Sequence, residues 1–216
     1  MLNLFGHPFS SYTWKVLIPL YADETPFEFR QVPENEENYA ELKRIWPFGK
    51  FPVLVDDGQP VMETTCIIEH LQSHHRGRNI WIPDGEPGRR VRFLDRFFDL
   101  YVQGNMQPAV NHALRPEGMG DFYGAEQGRK NLHLAYDWLE ANLAANGWAA
   151  GGHFSLADCA AAPALFYADW VEEIGPKRPK LAAYRARLLA DPVVARVVDE
   201  ARPYRPYFPL GAPDRD

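Results

Sequence analysis

The residues of this chain that could do chemistry lie in its first third, and their types suit the binding of a small peptide. Phe51 and Pro52 open an apolar run, and a proline there marks the entry to a strand because it cannot donate a hydrogen bond within a sheet. A cis bond at this point would turn the Phe51 N–H and C=O outward, free to pair with an extended ligand. Glu63 and Thr64 follow at a predicted helix start, where exposed N–H groups can bind a carboxylate and Glu63 can bind an ammonium group.

A hydroxyl at the start of the first predicted helix could stabilise an anion. Ser10 follows Pro8 and Phe9, which end a short apolar run, and it precedes a periodic helical segment. With the backbone N–H groups and the helix dipole, such a hydroxyl can stabilise a bound anion. Ser11 and Tyr12 are the alternatives, because helix boundaries read from sequence err by a few residues. Ser10 could also serve only as a helix N-cap.

The elements that must position these residues follow from the hydrophobic pattern. The pattern predicts strands or helices at residues 2–5, 11–22, 27–32, 38–45, 52–55, 61–62 and 64–75. Asp56, Asp57 and Gly58 form a hairpin signal between the last two strands. The order βαβαββα is that of the thioredoxin-like fold.

A domain boundary follows this unit. Residues 76–88 are dense in glycine and proline, which break helices. We therefore predict a thioredoxin-like domain at 1–78, a linker at 79–88 and an all-helical domain at 89–216.

The second domain carries long amphipathic patterns and one apolar segment. Helices are predicted over 89–107 and 126–146 from apolar side chains at three-to-four spacing. Ser155 and Asp158 resemble a capping box ahead of an apolar helix, and capping alone explains both. The segment 203–216, rich in proline and aromatic residues, cannot continue a helix and is expected to lie across the surface rather than fray.

Composition limits the partners of the chain. Its 216 residues carry a net charge of −6, with no cluster of lysine and arginine among aromatic residues, so nucleic acid is not expected to bind. No segment approaches the length needed to cross a bilayer, and a cytoplasmic location is expected.

Cysteine and histidine residues do not suggest a metal or redox centre. Cys66 and Cys159 are too few for a disulfide framework, and we interpret both as small core residues. His7, His74 and His75 lack a paired ligand at a recognised spacing, so no metal site is predicted.

Three separated motifs carry a family resemblance. Residues 46–54, Trp-Pro-Phe-Gly-Lys-Phe-Pro-Val-Leu, resemble the N-P-F-G-Q-V-P-A-L segment of glutathione transferases, and Glu63-Thr64 resembles their E-S pair. Residues 10–16, Ser-Ser-Tyr-Thr-Trp-Lys-Val, are similar to the S-S-C-S-W-R-V run of zeta-type members. The three lie in order along the N-terminal third.

The resemblance implies glutathione as a co-substrate, with no metal, and Ser10 as the catalytic hydroxyl. It assigns the glutathione contacts to Lys50, Phe51, Pro52, Glu63 and Thr64. Lys50 stands where the family often has glutamine, and it could pair with the glycine carboxylate or remain a solvated lysine. The acid and the hydroxyl at 63 and 64 could instead cap their helix.

The expected reaction is attack of the glutathione thiolate on a hydrophobic electrophile, a detoxification chemistry. Candidate residues for the electrophile pocket are Phe9, Tyr12, Tyr101, Met106 and Phe122, with Tyr207 or Phe208 as a lid. Two alternatives remain: a maleylacetoacetate isomerase-like activity, which Tyr12 in place of the zeta-type cysteine weakens, and a non-catalytic glutathione-binding or assembly module. The family also implies a homodimer, with Phe48 as a candidate anchor between subunits.

Overall fold

Strands and helices alternate through the first third of the chain in the predicted thioredoxin-like order. The computed structural model describes residues 1–216. The elements of this part are β1 (Leu2–Gly6), α1 (Ser11–Ala22), β2 (Phe27–Gln31), α2 (Glu36–Ile45), β3 (Val53–Asp56), β4 (Gln59–Met62) and α3 (Thr64–His74). The βαβαββα prediction is confirmed.

The sheet brings the predicted site residues to one edge. Its strand order is β2-β1-β3-β4, with β1 parallel to β2 and antiparallel to β3, and β3 antiparallel to β4. The end of β1, the start of β3 and the end of β4 therefore meet at the same edge, because antiparallel neighbours reverse direction. Val53 pairs with both Phe5 and Met62 there. Ser10, Phe51 and Glu63 each lie just beyond one of these strand ends.

The second part of the chain is entirely helical, as predicted. It contains α4 (Gly85–Phe97), a π-helical segment (Phe98–Gln103), α5 (Gly104–Leu114), α6 (Phe122–Asn142), α7 (Leu156–Val171), α8 (Pro179–Ala190), α9 (Pro192–Ala201) and a 3₁₀ segment (Arg202–Tyr207). None of the helices combines the length and the apolar character that crossing a bilayer requires.

Helix α4 begins inside the predicted linker 79–88, four residues before the predicted start at 89. Gly85 has φ of 66°, and Pro87 lies in the first helical turn, where no backbone N–H is needed. Gly88 is required by a close approach, because a Cβ on it would overlap the carbonyl oxygen of Pro83. These glycine and proline residues start the helix instead of interrupting the chain.

Replacing Gly88 with alanine should destabilise the protein, since the Pro83 backbone must move to admit the methyl group. We expect a loss of about 1–3 kcal/mol, the usual cost of overpacking, seen as a fall of several degrees in Tm. Gly152 is the matched control, because it has an ordinary φ and no atom lies within 4 Å of the place that an alanine methyl group would take. An equal Tm change in both alanine variants would contradict this role of Gly88.

Helix α7 is the centre of the second domain. All of its residues from Leu156 to Val171 are buried. Asp158 holds the N-terminus of this helix in place through three hydrogen bonds. One of its carboxylate oxygens accepts the Ser155 N–H at 2.9 Å. The other accepts the Ala149 N–H at 2.8 Å and the Tyr184 hydroxyl at 2.7 Å. The structural role predicted for Ser155 and Asp158 is confirmed.

Helices α1 and α7 join the two parts of the molecule. Trp14 is fully buried, and its ring lies 4.9 Å from that of Phe166 and 5.2 Å from that of Tyr167. The Tyr167 hydroxyl donates to the carbonyl oxygen of Phe9 at 2.9 Å. The loop that leads into α1 is therefore held directly by the second domain.

The two cysteines differ. Cys159 is fully buried in α7, as predicted, and burial raises the pKa of its thiol well above the usual value. The prediction that Cys66 is a core residue is wrong: it lies on the exposed face of α3, between Thr65 and the buried Ile67. Its apolar neighbours in sequence point to the other side of the helix.

The C-terminal segment lies across the surface, as predicted. Phe208 is buried against Tyr167 and Trp170, with ring centroids 6.3 and 5.2 Å away. Arg205 and Arg202 bind the carboxylate of Asp216 and hold the segment down.

Candidate functional site

Ser10 caps the helix that starts at the sheet edge. Its backbone is extended, and its Oγ accepts the Thr13 N–H at 3.3 Å. Because this bond uses only the oxygen, the hydroxyl hydrogen remains available to donate to a ligand. Ser11 is the first helical residue. Capping and donation to an anion are therefore compatible roles for Ser10.

Two adjoining cavities lie beside the start of α1 and share a wall. The smaller, which we call the peptide cleft, has a volume of about 210 Å³; its lining residues include Tyr12, Trp46, Lys50, Phe51, Pro52, Glu63, Thr64 and Arg96. The larger, which we call the apolar cavity, has a volume of about 770 Å³; its lining residues include Phe9, Ser10, Ser11, Tyr12, Lys50, Phe51, Gln103, Met106, Val110 and Phe208. Tyr12, Lys50 and Phe51 belong to both.

The backbone of Phe51 is free to bind a ligand. The Phe51–Pro52 bond is cis, the conformation considered for it from the sequence. Phe51 lies outside β3, and neither its N–H nor its C=O makes a hydrogen bond within the protein. A partly buried, unpaired donor and acceptor side by side match the edge that an extended peptide would use.

Glu63 faces the peptide cleft without capping its helix. It immediately precedes α3, but its side chain makes no capping hydrogen bond, so the alternative that it serves as an N-cap is not what the structure shows. Its φ of 66° lies in the left-handed region, which costs a non-glycine residue about 1–3 kcal/mol. Thr64 is buried beside it. The strained backbone of Glu63 thus presents an unpaired carboxylate beside the free N–H groups of the helix start. Together these groups suit an amino-acid zwitterion.

Cationic side chains complete the peptide cleft. Lys50 is exposed and forms no ion pair. Arg96, which the sequence analysis missed, reaches the cleft from α4 and lies 3.7 Å from Asp99. Two carboxylates line the cleft as well: Asp99 is already paired with Lys15, and Glu63 is the one left for a ligand of mixed charge.

Tyr12 keeps its proton at neutral pH. Partial burial, with the nearby Asp99 carboxylate as a second cause, raises the pKa of the phenol to about 12. Tyr12 can therefore donate a hydrogen bond but is not available as a phenolate base.

Two of the residues predicted for the electrophile pocket lie elsewhere. Phe9, Tyr12 and Met106 line the apolar cavity, as do Tyr207 and Phe208. Tyr101 instead stacks on Phe97 at 5.1 Å and is 54% exposed. It precedes Met106 by five residues, a spacing that turns it away from the helix face that Met106 occupies.

Phe122 is the second correction. It is 78% exposed at the start of α6, where its ring packs on His112 at 4.3 Å. Because α6 starts four residues earlier than predicted, Phe122 belongs to the exposed first turn of that helix.

Gln103 lines the apolar cavity and was also missed. Its side chain is buried, and its Oε1 has no hydrogen-bond partner. It is the last residue of the π-helical segment, which makes the face it presents unpredictable from α-helical spacing. An unpaired amide oxygen in an apolar wall can accept a hydrogen bond from a polar group of a bound molecule.

Known protein families match both parts of the chain. The model for the glutathione S-transferase N-terminal domain matches residues 4–79, and that for the C-terminal domain matches residues 122–187. The chain belongs to the glutathione S-transferase family. The two family models correspond to the sheet domain and to helices α6 to α8 of this glutathione S-transferase fold.

The chain is similar to curated proteins and to solved structures along most of its length. Glutathione S-transferase GstB of Escherichia coli is 26% identical over 208 residues, covering 92% of this chain and 98% of that protein. FtsZ-localized protein A of Caulobacter vibrioides is 28% identical over 181 residues, covering 80% and 79%. A solved glutathione transferase family member of Pseudomonas fluorescens with bound glutathione is 25% identical, with a TM-score of 0.78, covering 91% of this chain and 98% of that one.

Proposed function

We propose that this protein is a glutathione transferase that activates the thiol of glutathione with Ser10 and couples it to a hydrophobic electrophile. The observation that carries the proposal is the adjoining pair of cavities at one helix start: a charged, peptide-sized cleft and a larger apolar cavity that share Tyr12, Lys50 and Phe51. Ser10 lines the apolar cavity near this shared wall.

In this proposal, the peptide cleft holds glutathione by its backbone and its charged ends. The free N–H and C=O of Phe51 pair with the cysteinyl unit, as an added strand would. Glu63 and the first N–H groups of α3 bind the ammonium and carboxylate of the γ-glutamyl end. Lys50 and Arg96 are the cations available to the glycine carboxylate.

Ser10 then acts on the sulfur. Its hydroxyl hydrogen, which capping leaves free, donates to the thiolate, while the start of α1 adds positive potential. Lowering the thiol pKa by two units corresponds to about 2.7 kcal/mol. The thiol proton passes to solvent, and the thiolate attacks an electrophile in the apolar cavity, forming a carbon–sulfur bond while a leaving group such as chloride departs with its bonding electrons.

The test combines retention and turnover. The protein is loaded on immobilised glutathione and eluted with the free tripeptide, and the eluted protein is then assayed with a chloro-dinitrobenzene-type electrophile and with maleylacetoacetate. Retention with conjugation supports the proposal. Turnover of maleylacetoacetate alone would assign the isomerase activity, and retention without any turnover would assign the non-catalytic binding module.

Glu63→Gln should weaken glutathione binding without disabling the chemical step. The variant loses a charged partner for the ligand ammonium, so KM for glutathione is expected to rise about tenfold while kcat changes little, the pattern of a contact made equally in ground and transition states. Steady-state kinetics with varied glutathione checks this. Glu117→Gln is the matched control, since Glu117 is exposed, lies between α5 and α6 and lines neither cavity. An unchanged KM in Glu63→Gln would remove Glu63 from the site.

Two family properties stay predictions. A homodimer is consistent with Phe48, whose ring is 74% exposed and rests on Trp46 at 4.8 Å, so that a partner subunit could bury it. The cytoplasmic location expected from the sequence also stays a prediction.

A further inference from the structure

Two histidines and an aspartate converge at the edge of the sheet remote from the peptide cleft. Asp56 is the last residue of β3, His70 lies on α3, and His75 directly follows α3. The Asp56 Oδ2 lies 2.9 Å from the Nε2 of His70 and 2.6 Å from the Nε2 of His75. The ligand atoms of all three residues lie within 4.8 Å of one another.

We propose that Asp56, His70 and His75 bind one divalent transition-metal ion of the Zn²⁺, Co²⁺ or Ni²⁺ type. Two imidazole nitrogens and one carboxylate are ligands that these ions prefer, whereas Mg²⁺ and Ca²⁺ prefer oxygen ligands. Ligand atoms at about 2.0–2.2 Å from a tetrahedral ion lie about 3.3 Å apart. Opening each Asp–His contact by a few tenths of an ångström and drawing the two imidazoles together by side-chain rotation reaches this geometry.

The burial of the three side chains fits a site with open coordination positions. They are 15%, 19% and 31% exposed for Asp56, His70 and His75. They are therefore shielded enough to be held in place and open enough for an ion to enter, with water completing its coordination. His74 is not one of the three converging ligands; its ring stacks on that of His70 with centroids 4.3 Å apart.

The site is separate from the proposed glutathione site. From Val53, next to the cleft, β3 advances about 10 Å to Asp56, at about 3.3 Å per residue. From Thr64, in the cleft, α3 advances about 15 Å to its end at His74, at about 1.5 Å per residue. A metal here would tie the far end of β3 to the far end of α3, so its role would be structural, fixing the two elements whose opposite ends face the cleft.

The sequence analysis predicted no metal here because it considered His74 and His75 without His70 and Asp56. The ligands come from a strand and from both sides of a helix end, at spacings of 14 and 5 residues. Only the packing of α3 against the sheet brings them together.

The experiment is a Co²⁺ titration of chelator-treated protein in a Cys66→Ser background, since the exposed Cys66 thiol could otherwise bind the ion. Absorption and calorimetry should show one Co²⁺ per chain. Asp56→Asn, His70→Ala and His75→Ala should each weaken binding at least tenfold. His74→Ala is the matched control and should bind as the parent does, because its ring does not reach Asp56.

Thermal unfolding with added Zn²⁺ gives a second readout that does not depend on activity. A ligand that binds only the folded state raises Tm, so the parent and His74→Ala should gain several degrees and His75→Ala should gain none. Far-UV circular dichroism without metal shows whether each variant is folded. No Co²⁺ binding by the parent, or equal binding and equal Tm gains in the parent, His75→Ala and Asp56→Asn, would overturn the proposal.

Discussion

Replacing Ser10 by alanine is expected to lower kcat about 10²-fold while KM for glutathione changes little. The variant removes the Ser10 hydroxyl, whose hydrogen the capping bond to Thr13 leaves free to donate. Loss of a single donor to a developing or bound anion typically costs 10²–10³ in rate. The acid limb of the pH–rate profile should move upward by about two units, because the bound thiol then ionises less readily.

The Ser10→Ala result needs controls for capping and for the neighbouring hydroxyls. Loss of the Thr13 capping bond should cost about 1 kcal/mol of stability, so kinetics must be measured well below the Tm of the variant. Ser10→Thr keeps both the cap and the donor and should retain most activity. Ser11→Ala and Tyr12→Phe should remain close to the parent; a 10²-fold loss in either, with Ser10→Ala active, would move the catalytic role to that residue.

Lys15→Met is expected to destabilise the protein by about 3–5 kcal/mol, a fall of roughly 10 °C in Tm. The Lys15 ammonium is 1% exposed and lies 2.6 Å from Asp95 and 2.7 Å from Asp99, with the Thr65 hydroxyl at 3.3 Å. Asp95 is as deeply buried as Lys15. Methionine fills a similar volume but leaves the buried Asp95 carboxylate without a cation and Asp99 with only the exposed Arg96, 3.7 Å away.

The destabilisation should depend on pH with a defined sign. Burial already raises the pKa of Asp99, and Lys15 opposes that rise. Without Lys15 the folded-state pKa of Asp99 should rise further above its unfolded value, so the penalty is present at neutral pH and is relieved as pH falls below the folded-state pKa. Urea unfolding of parent and variant at neutral and mildly acidic pH measures the difference, which should shrink at the lower pH.

Two further variants separate the buried charge from loss of a lysine. Adding Asp95→Asn and Asp99→Asn to Lys15→Met removes the unpaired charges and should restore part of the stability. Lys130→Met removes an exposed lysine from an i,i+4 pair with Glu126 and should cost no more than about 0.5 kcal/mol. Lys15 lies in α1, whereas Asp95 and Asp99 lie in the helices of the second domain, so these ion pairs join the two domains. If Lys15→Met and Lys130→Met had similar stability, the buried ion pairs would not stabilise this contact.

The sequence predicted the fold well where local periodicity decides it. The strands and helices of the first domain follow alternation and three-to-four spacing that their own residues carry. The predicted helix boundaries were wrong where capping or close packing, rather than the apolar pattern, decides where a helix begins. Helix α6 starts at Phe122 because Asp121 caps it through the Gly124 N–H at 2.8 Å, not at 126 where the apolar pattern begins. Gly88 signalled a break but instead permits contact with Pro83.

The site was predictable in the first domain and much less so in the second. Ser10, Phe51 and Glu63 each stand next to a strand end, so their convergence follows from the strand order alone. Arg96 and Gln103 come from helices whose rotation depends on domain packing and on the π-helical segment. Tyr101 looked suitable by residue type, yet its position on the helix directs it elsewhere.

The π-helical segment sets the rotation of α5 relative to α4, because the three form one continuous helix. A π turn holds more residues than an α turn, so the segment acts like an insertion within a continuous helix. Because the wider turn absorbs the extra residue, deleting a single codon between Phe98 and Gln103 would restore an α-helical path and leave α5 close to its present rotation relative to α4. Met106 and Val110 would then stay in the cavity wall, whereas the same deletion at the start of α5, where no wider turn absorbs it, would rotate both side chains by about 100° and out of that wall.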